Sequence, residues 1–151
     1  MDQTLEARLG EDLKTALRAR DEARVAAIRF LRAAAKNRQI ELGHALSDEE
    51  LLEVIRKQVK QRQDAIAQFR EAGRQDLVEK ESRDLAVLLG YLPRQLDRQE
   101  IEANARQVMA ELGATGPADV RRVMPVLLGR LKGQAEGRLV SEVVTALLRA
   151  R

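Results

Sequence analysis

Apolar residues recur along this chain at the three- and four-residue spacing of amphipathic α-helices, and no segment alternates in the manner of a β-strand. In the first part of the sequence this pattern predicts four helices, over residues 3–20, 21–42, 47–72 and 75–89. Asp21 is a candidate N-cap, Ser47 and Glu50 form a candidate capping box, and Gly43 is a candidate helix stop. We expect long antiparallel helices in this part of the chain.

A domain boundary is predicted at Pro93, which disfavours helical geometry at Leu92 and is soon followed by a new capping pair, Asp97 and Glu100. The prediction is an N-terminal helical domain over 1–93 and a C-terminal domain over 94–151. Three shorter helices are expected in the second domain, separated by Gly113–Gly116 and Gly133–Gly137. Pro125 lies inside the middle helix and should kink or weaken it, by up to about 3 kcal/mol unless packing compensates. The predicted fold class is all-α.

Composition agrees with a helical fold and restricts the chemistry. Charged residues make up 34% of the chain and aromatic residues 2%, which favours helices linked by ion pairs over a sheet. There is no cysteine and only one histidine, His44, which excludes disulfides, thiolate zinc sites and multi-histidine metal sites. The acidic cluster at 48–53 lies in a helix first turn, where carboxylates favour the positive end of the helix dipole. We therefore predict no catalytic residue, no metal and no cofactor.

The sequence offers no membrane or export signal. Its longest nearly apolar run, at 143–148, is far shorter than the roughly 20 residues of a membrane span. The first residues, MDQTLEARL, contain neither a basic segment nor an apolar one. We expect a cytoplasmic protein.

The basic residues are distributed unevenly. Residues 1–93 contain 17 basic and 17 acidic side chains, whereas residues 94–151 contain 10 and 7. Arg29, Arg32 and Lys36 form a ridge on the second predicted helix, at i, i+3 and i+7. A second cluster lies near the C-terminus: Arg121, Arg122, Arg130, Lys132 and Arg138. If the ridge and this cluster shared one side of the molecule, they would form an electrostatic footprint for nucleic acid. Because aromatic residues are few, contact with the RNA backbone and shape is expected rather than base stacking.

The segment GRLKGQAEGRLV, residues 129–140, contains three glycines at four-residue spacing. It lacks the spacing, the Ser/Thr and the preceding strand of a P-loop, and it lacks the apolar context of a membrane GxxxG dimer. The remaining interpretation is a turn between helices, in which Gly133 ends one helix, Gly137 precedes the next and Gly129 lets two helices approach closely. A second role stays open, because the free amides near Gly137, with Lys132 and Arg138, would suit a backbone phosphate.

Three segments together resemble the YqeY-like proteins: AIRFLRAAAKN with IELG, the long run from KQRQDAIAQF to LLGYLPRQL, and VMPVLLGRLKGQAEGRLVSEVV. The resemblance covers nearly the whole chain. From about residue 94 the chain is also similar to the tail domain of the B subunit of tRNA-dependent amidotransferase. Lys132, Gly133 and Gly137 match the glycine-rich turn of the family, whereas Arg121, Arg122 and Pro125 depart from its usual pattern.

The resemblance implies an all-α protein whose tail contacts tRNA, since the amide-forming and glutamine-hydrolysing centres of the amidotransferase lie outside that tail. Our first hypothesis is a non-catalytic module that binds tRNA or other structured RNA, with an aminoacyl-tRNA amidotransferase or synthetase as a protein partner. The predicted contacts are Arg121, Arg122, Arg130, Lys132, Gly133, Gly137 and Arg138, with the ridge of Arg29, Arg32 and Lys36. Two alternatives stay open. One is a glutamine-dependent carbon-nitrogen ligase or a subunit of one, the activity usually attached to the family, and the other is a helical protein adaptor.

Overall fold

A computed structural model describes residues 3–150, and within that range it contains seven α-helices, one 3₁₀ turn and no strand. The predicted all-α fold class is confirmed. Contacts divide the chain into two compact units between Leu92 and Pro93. The N-terminal unit contains α1 (Leu5–Arg18), α2 (Glu22–Leu42), α3 (Asp48–Glu71) and α4 (Gln75–Leu89). The C-terminal unit contains α5 (Arg98–Leu112), the 3₁₀ turn Pro117–Asp119, α6 (Val120–Leu131) and α7 (Gly137–Arg149).

Side-chain caps fix the starts of several helices where the sequence predicted them. The Asp21 carboxylate accepts a hydrogen bond from the Arg24 amide at 3.1 Å. Ser47 and Glu50 form a reciprocal pair at the start of α3, with distances of 2.9 and 3.1 Å. The same arrangement joins Asp97 and Glu100 at the start of α5. Each cap accepts hydrogen bonds from amides that have no intrahelical partner at a helix start. Such a cap stabilises the fold by about 1 kcal/mol.

The N-terminal unit is built around α3, which packs most extensively against α4 and also contacts α1 and α2. Its core includes residues with almost no solvent exposure on three helices, Leu9 on α1, Leu31 on α2 and Ile55 on α3. Full burial of each such side chain stabilises the fold by about 1.5–3 kcal/mol relative to exposure. The core thus leaves the opposite side of α2, including the predicted basic ridge, at the surface.

The C-terminal unit buries a separate apolar cluster contributed by α5, α6 and α7. Pro125 does not end α6, which runs without interruption from Val120 to Leu131. Its neighbours Val123 and Leu127 are both fully buried. Packing on either side of the proline therefore compensates for the backbone hydrogen bond that proline cannot donate.

The turn between α6 and α7 differs from its prediction in two details. Gly129 was expected to allow a close approach between helices, but a Cβ built on it would have no atom within 4 Å, so that prediction is wrong. Gly129 lies on the exposed side of α6, away from the stripe formed by Val123, Leu127 and Leu131. Lys132, and not Gly133, is the C-cap of α6, and Gly137 is the first residue of α7.

Candidate nucleic-acid interface

All five predicted cations of the C-terminal unit are exposed, but they differ in what they contact. Arg122 and Arg130 are held by hydrogen bonds within the unit. Arg121 and Lys132 have no hydrogen bond or ion pair from their side chains to any residue in 3–150. Arg138 lies 3.8 Å from Glu142, the next turn of α7, and its side chain is 85% exposed. Of these five cations, two are arginines with structural partners and three have a charge that faces solvent.

Arg122 organises the connection between α5 and α6. Its guanidinium donates to the Asp119 carboxylate at 2.8 and 3.1 Å and to the Leu112 carbonyl, near the end of α5, at 3.1 Å. Asp119 also accepts from the amides of Thr115 and Gly116. The Thr115 amide, followed by Arg122, lowers the pKa of Asp119 to about 2. Arg122 therefore donates to a carbonyl that the end of α5 leaves without an intrahelical partner, and it holds the loop between α5 and α6 in place. Its role is structural.

Arg130 forms a two-pronged ion pair with Glu111 near the end of α5. One of its hydrogen bonds, from Nη1 to Oε1, is 3.1 Å long. The hydrogen bonds from Arg130 hold the pKa of Glu111 below its usual value, and those bonds likewise raise the pKa of Arg130. Both charges lie at the surface, so the pair competes with solvent and with any other anion that approaches Arg130.

Hydrogen bonds from the segment before α5 hold the turn from Lys132 to Glu136 in place. Lys132 and Gly133 both adopt left-handed backbone geometry, with φ of 47° and 77°. The Gln95 side-chain amide donates to the Gly133 carbonyl at 3.0 Å, and the Leu96 amide donates to the Gln134 carbonyl at 2.8 Å. Gly133 is buried while Lys132 is exposed. The segment before α5 therefore anchors this turn and leaves the lysine side chain in solvent.

No side chain in the described part of the chain caps the first turn of α7. Its N-cap, Glu136, has an extended backbone and makes no side-chain hydrogen bond to that turn. The first amides of α7 therefore point away from any intrahelical acceptor, and the positive end of the helix dipole lies between Lys132 and Arg138 in the sequence. This is an arrangement that suits an anion.

The basic ridge of the N-terminal unit lies on the exposed side of α2. The side chains of Arg29, Arg32 and Lys36 form no ion pair or hydrogen bond with any residue in 3–150. Arg32 and Lys36 line a cleft beside α1, while Arg29 lies outside that cleft on the same side of the helix. The structure thus places all three cations together on one helix surface, as their spacing predicted.

The acidic residues at the start of α3 have structural partners. Asp48 accepts from the Leu5 amide at 3.1 Å, which joins α3 to the start of α1. Glu50 belongs to the capping box, and Glu49 and Glu53 lie 3.4 and 2.6 Å from Arg56. Among residues 3–150, no three His, Cys, Asp or Glu side chains are grouped as metal ligands would be.

Two acidic residues, Asp119 and Glu111, hold arginines of the candidate site in ion pairs and so decide which arginines are available to a ligand. Neither was identified from the sequence. Asp119 precedes Arg122 by three residues, a spacing that brings side chains together on a helix and could have revealed this pair. Glu111 and Arg130 are 19 residues apart on different helices. Only the tertiary structure brings that second pair together.

Comparison with known proteins identifies relatives over nearly the full chain. The family model described as Yqey-like protein matches residues 6–148. A protein of Kluyveromyces lactis named "Altered inheritance of mitochondria protein 41, mitochondrial" is 36% identical over 116 residues, 74% of this chain. The chain spans only 62% of the length of that relative. A protein of the same name from Pyrenophora tritici-repentis is 31% identical over 148 residues, 95% of this chain and 81% of the relative.

These names correct one prediction. The relatives are named as mitochondrial proteins, which contradicts the expectation of a cytoplasmic protein, and that expectation is wrong. Separately, none of the helices in 3–150 combines the length and the apolar character needed to cross a lipid bilayer.

Proposed function

The chain belongs to the YqeY-like family, and we propose that its C-terminal unit is a non-catalytic module that binds the backbone of structured RNA, with tRNA as the RNA class. An aminoacyl-tRNA amidotransferase or a synthetase is the proposed protein partner. The similarity of this unit to the amidotransferase tail domain motivates the choice of tRNA. The contacts within the unit restrict the choice of residues.

The observation that carries the proposal is a pair of exposed cations, Lys132 and Arg138, on either side of the start of α7 in the sequence. Lys132 is exposed, has no side-chain partner within residues 3–150, and sits in left-handed geometry that costs a non-glycine residue about 1–2 kcal/mol. Such strain is a reason to look for a function at that position. Arg138 lies in the first turn of α7 and is 85% exposed. A phosphate placed here would meet two cations and the uncapped amides of α7.

Arg121, on α6, adds a third exposed cation, and its side chain has no partner within residues 3–150. In contrast, Arg122 and Arg130 would have to give up hydrogen bonds to Asp119 and Glu111 before they could bind phosphate. We therefore propose Arg121, Lys132 and Arg138 as the principal phosphate contacts. The Arg29, Arg32 and Lys36 ridge of the N-terminal unit would add long-range attraction for RNA.

The expected mode of recognition is contact with phosphate and shape. The aromatic residues of the chain are Phe30, Phe69 and Tyr91, and all three precede the C-terminal unit. This unit therefore has no ring on which a nucleobase could stack. Recognition without base stacking fits folded RNA better than single strands.

The proposal is tested by fluorescence anisotropy with labelled tRNA at low salt. We expect the triple variant Arg121→Gln, Lys132→Gln, Arg138→Gln to lose most of the affinity of the wild type. Arg106→Gln is a matched control, since Arg106 is an exposed cation of α5 outside the proposed contacts. The substitutions Arg121→Gln, Lys132→Gln and Arg138→Gln are also tested one at a time. The proposal would be overturned if the wild type failed to bind tRNA, or if Arg106→Gln lost as much affinity as each of these single variants.

A further inference from the structure

A cleft of about 640 Å³ lies in the N-terminal unit, between α1, α2 and the turn that joins α2 to α3. This volume falls within the roughly 300–1,000 Å³ of sites that bind small molecules. Such sites combine an apolar lining with a few polar groups that orient the ligand. The lining of this cleft has both parts.

The apolar lining of the cleft includes both buried core residues and an exposed residue. Leu9 and Leu51 line it and are almost fully buried, so their position is fixed by the packing of α1 and α3. Ile40 lines it from α2 and is 69% exposed, although it is a large aliphatic residue. An apolar ligand group lying across these three side chains would remove the Ile40 surface from water.

The polar part of the cleft is positively charged. Arg32 and Lys36 lie one turn apart on α2, and both line the cleft. Neither side chain is hydrogen-bonded or ion-paired within residues 3–150. Glu6 is the carboxylate of the lining. His44 also lines it, and its ring contacts the Ala45 carbonyl at 2.9 Å and Glu50 at 3.6 Å. Because the lining contains two cations and one carboxylate, its net charge is positive.

We propose that this cleft binds a small amphiphilic anion, whose carboxylate or phosphate head is held by Arg32 and Lys36 and whose apolar chain lies over Leu9, Leu51 and Ile40. The guanidinium of Arg32 suits both head groups because its planar donors match their oxygens. An RNA backbone would satisfy the cations but would leave the apolar surface in water. The apolar floor therefore distinguishes this site from the proposed RNA contacts of the C-terminal unit.

The test is a titration of the full-length protein followed by ¹⁵N–¹H NMR, with all amphiphiles kept below micelle formation. Dodecanoate and dodecyl phosphate represent the two head groups, dodecyltrimethylammonium carries the opposite charge, and acetate lacks the chain. We expect saturable shifts at residues 33–46 with the two anionic amphiphiles and not with the other two probes. The tighter of the two anions identifies the head group.

Variants make the test specific. Arg32→Gln with Lys36→Gln should weaken binding at least about tenfold, because charge-assisted hydrogen bonds are lost. Arg29→Gln is the matched control, a neutralised cation on the same side of α2 outside the cleft, and should bind like the wild type. Ile40→Ser should weaken dodecanoate binding without unfolding, since the side chain is exposed. Equal binding of the cationic amphiphile, or equal effects of the control and the double variant, would overturn the proposal.

Discussion

Tyr91 donates its hydroxyl to Asp12 Oδ2 at 2.5 Å, and this hydrogen bond joins α1 to the turn that follows α4, across 79 residues of sequence. The Arg8 guanidinium lies 4.7 Å from the centre of the Tyr91 ring and donates to the Gly90 carbonyl at 3.2 Å. Tyr91 is only 4% exposed. Gly90 and Tyr91, part of the run that resembles the YqeY-like proteins, are thereby held against the first helix of their own unit.

The first prediction concerns the ionisation of Tyr91. Burial, followed by the hydrogen bond to Asp12, raises the pKa of its hydroxyl from 10.0 to about 12. Because the folded state binds this proton more tightly than the unfolded state, its contribution to stability is complete below pH 10 and is lost as the pH rises towards 12. The chain has one tyrosine and no tryptophan, so phenolate absorbance reports Tyr91 alone. We expect a midpoint near 12 in the wild type and a lower one in Asp12→Asn; a wild-type midpoint near 10 would contradict this assignment.

The second prediction concerns Arg62, which is mostly buried between α2, α3 and α4. It donates to Glu81 at 2.8 Å, lies 4.0 Å from Asp84, and stacks over the Phe30 ring at 4.7 Å. Glu81→Gln should destabilise the N-terminal unit by about 2–3 kcal/mol, because it removes the nearer of the two carboxylate charges that compensate a largely desolvated guanidinium.

Urea denaturation measures this loss, and an exposed pair provides the control. Arg38 and Glu41 are 2.9 Å apart on the surface of α2. Glu41→Gln should therefore change the free energy of unfolding by less than about 0.5 kcal/mol. Similar losses in the two variants would mean that burial does not set the strength of the Arg62 pair.

The third prediction separates stability from RNA binding at Lys132. Lys132→Gly should raise the free energy of unfolding by about 0.5–1 kcal/mol, since glycine relieves the left-handed strain but gains entropy in the unfolded chain. The same variant should weaken tRNA binding. Arg20 also has left-handed geometry, with φ of 57°, and it lies in the N-terminal unit.

Arg20→Gly is therefore a closely matched control, because it removes one positive charge and relieves the same kind of strain. It should stabilise the protein to a similar extent and leave tRNA affinity close to that of the wild type. Thermal denaturation and anisotropy on both variants measure the two effects. If Lys132→Gly binds tRNA like Arg20→Gly, Lys132 does not contact the RNA.

The fourth prediction follows from the Arg130–Glu111 pair. Glu111→Gln removes the charge that holds Arg130, so Arg130 becomes available to phosphate. We expect higher tRNA affinity and a salt dependence steeper by about one unit of slope. Glu102→Gln, on the same helix, makes the same change of charge but releases Arg98, which lies outside the proposed contacts. An equal gain in both variants would indicate a general charge effect.

Local signals in the sequence were sufficient to place the helices. Asp21, Ser47 and Asp97 satisfy amides within three residues of themselves, so their role can be predicted from spacing alone. The domain boundary at residue 93, inferred from Pro93 and the following cap, stays a prediction.

The contacts that decide the candidate site could not be predicted in the same way. Arg130 meets Glu111 from another helix, and spacing within one helix gives no information about such a partner. The prediction for Gly129 failed for the opposite reason, because the sequence contained the information needed to reject it. Its four-residue spacing from Gly133 suggested helix packing, although the stripe of Val123 and Leu127 already placed it on the far side of α6.

The central claim is that the C-terminal unit binds RNA through three phosphate contacts, and the most direct test is the salt dependence of tRNA binding by the full chain. From about 50 to 200 mM salt, three neutralised phosphates predict a slope of log affinity against log salt of about −2 to −3. The triple variant of Arg121, Lys132 and Arg138 should lose nearly all of that slope, while Arg106→Gln should keep it. A wild-type slope near zero, or an unchanged slope in the triple variant, would contradict the account.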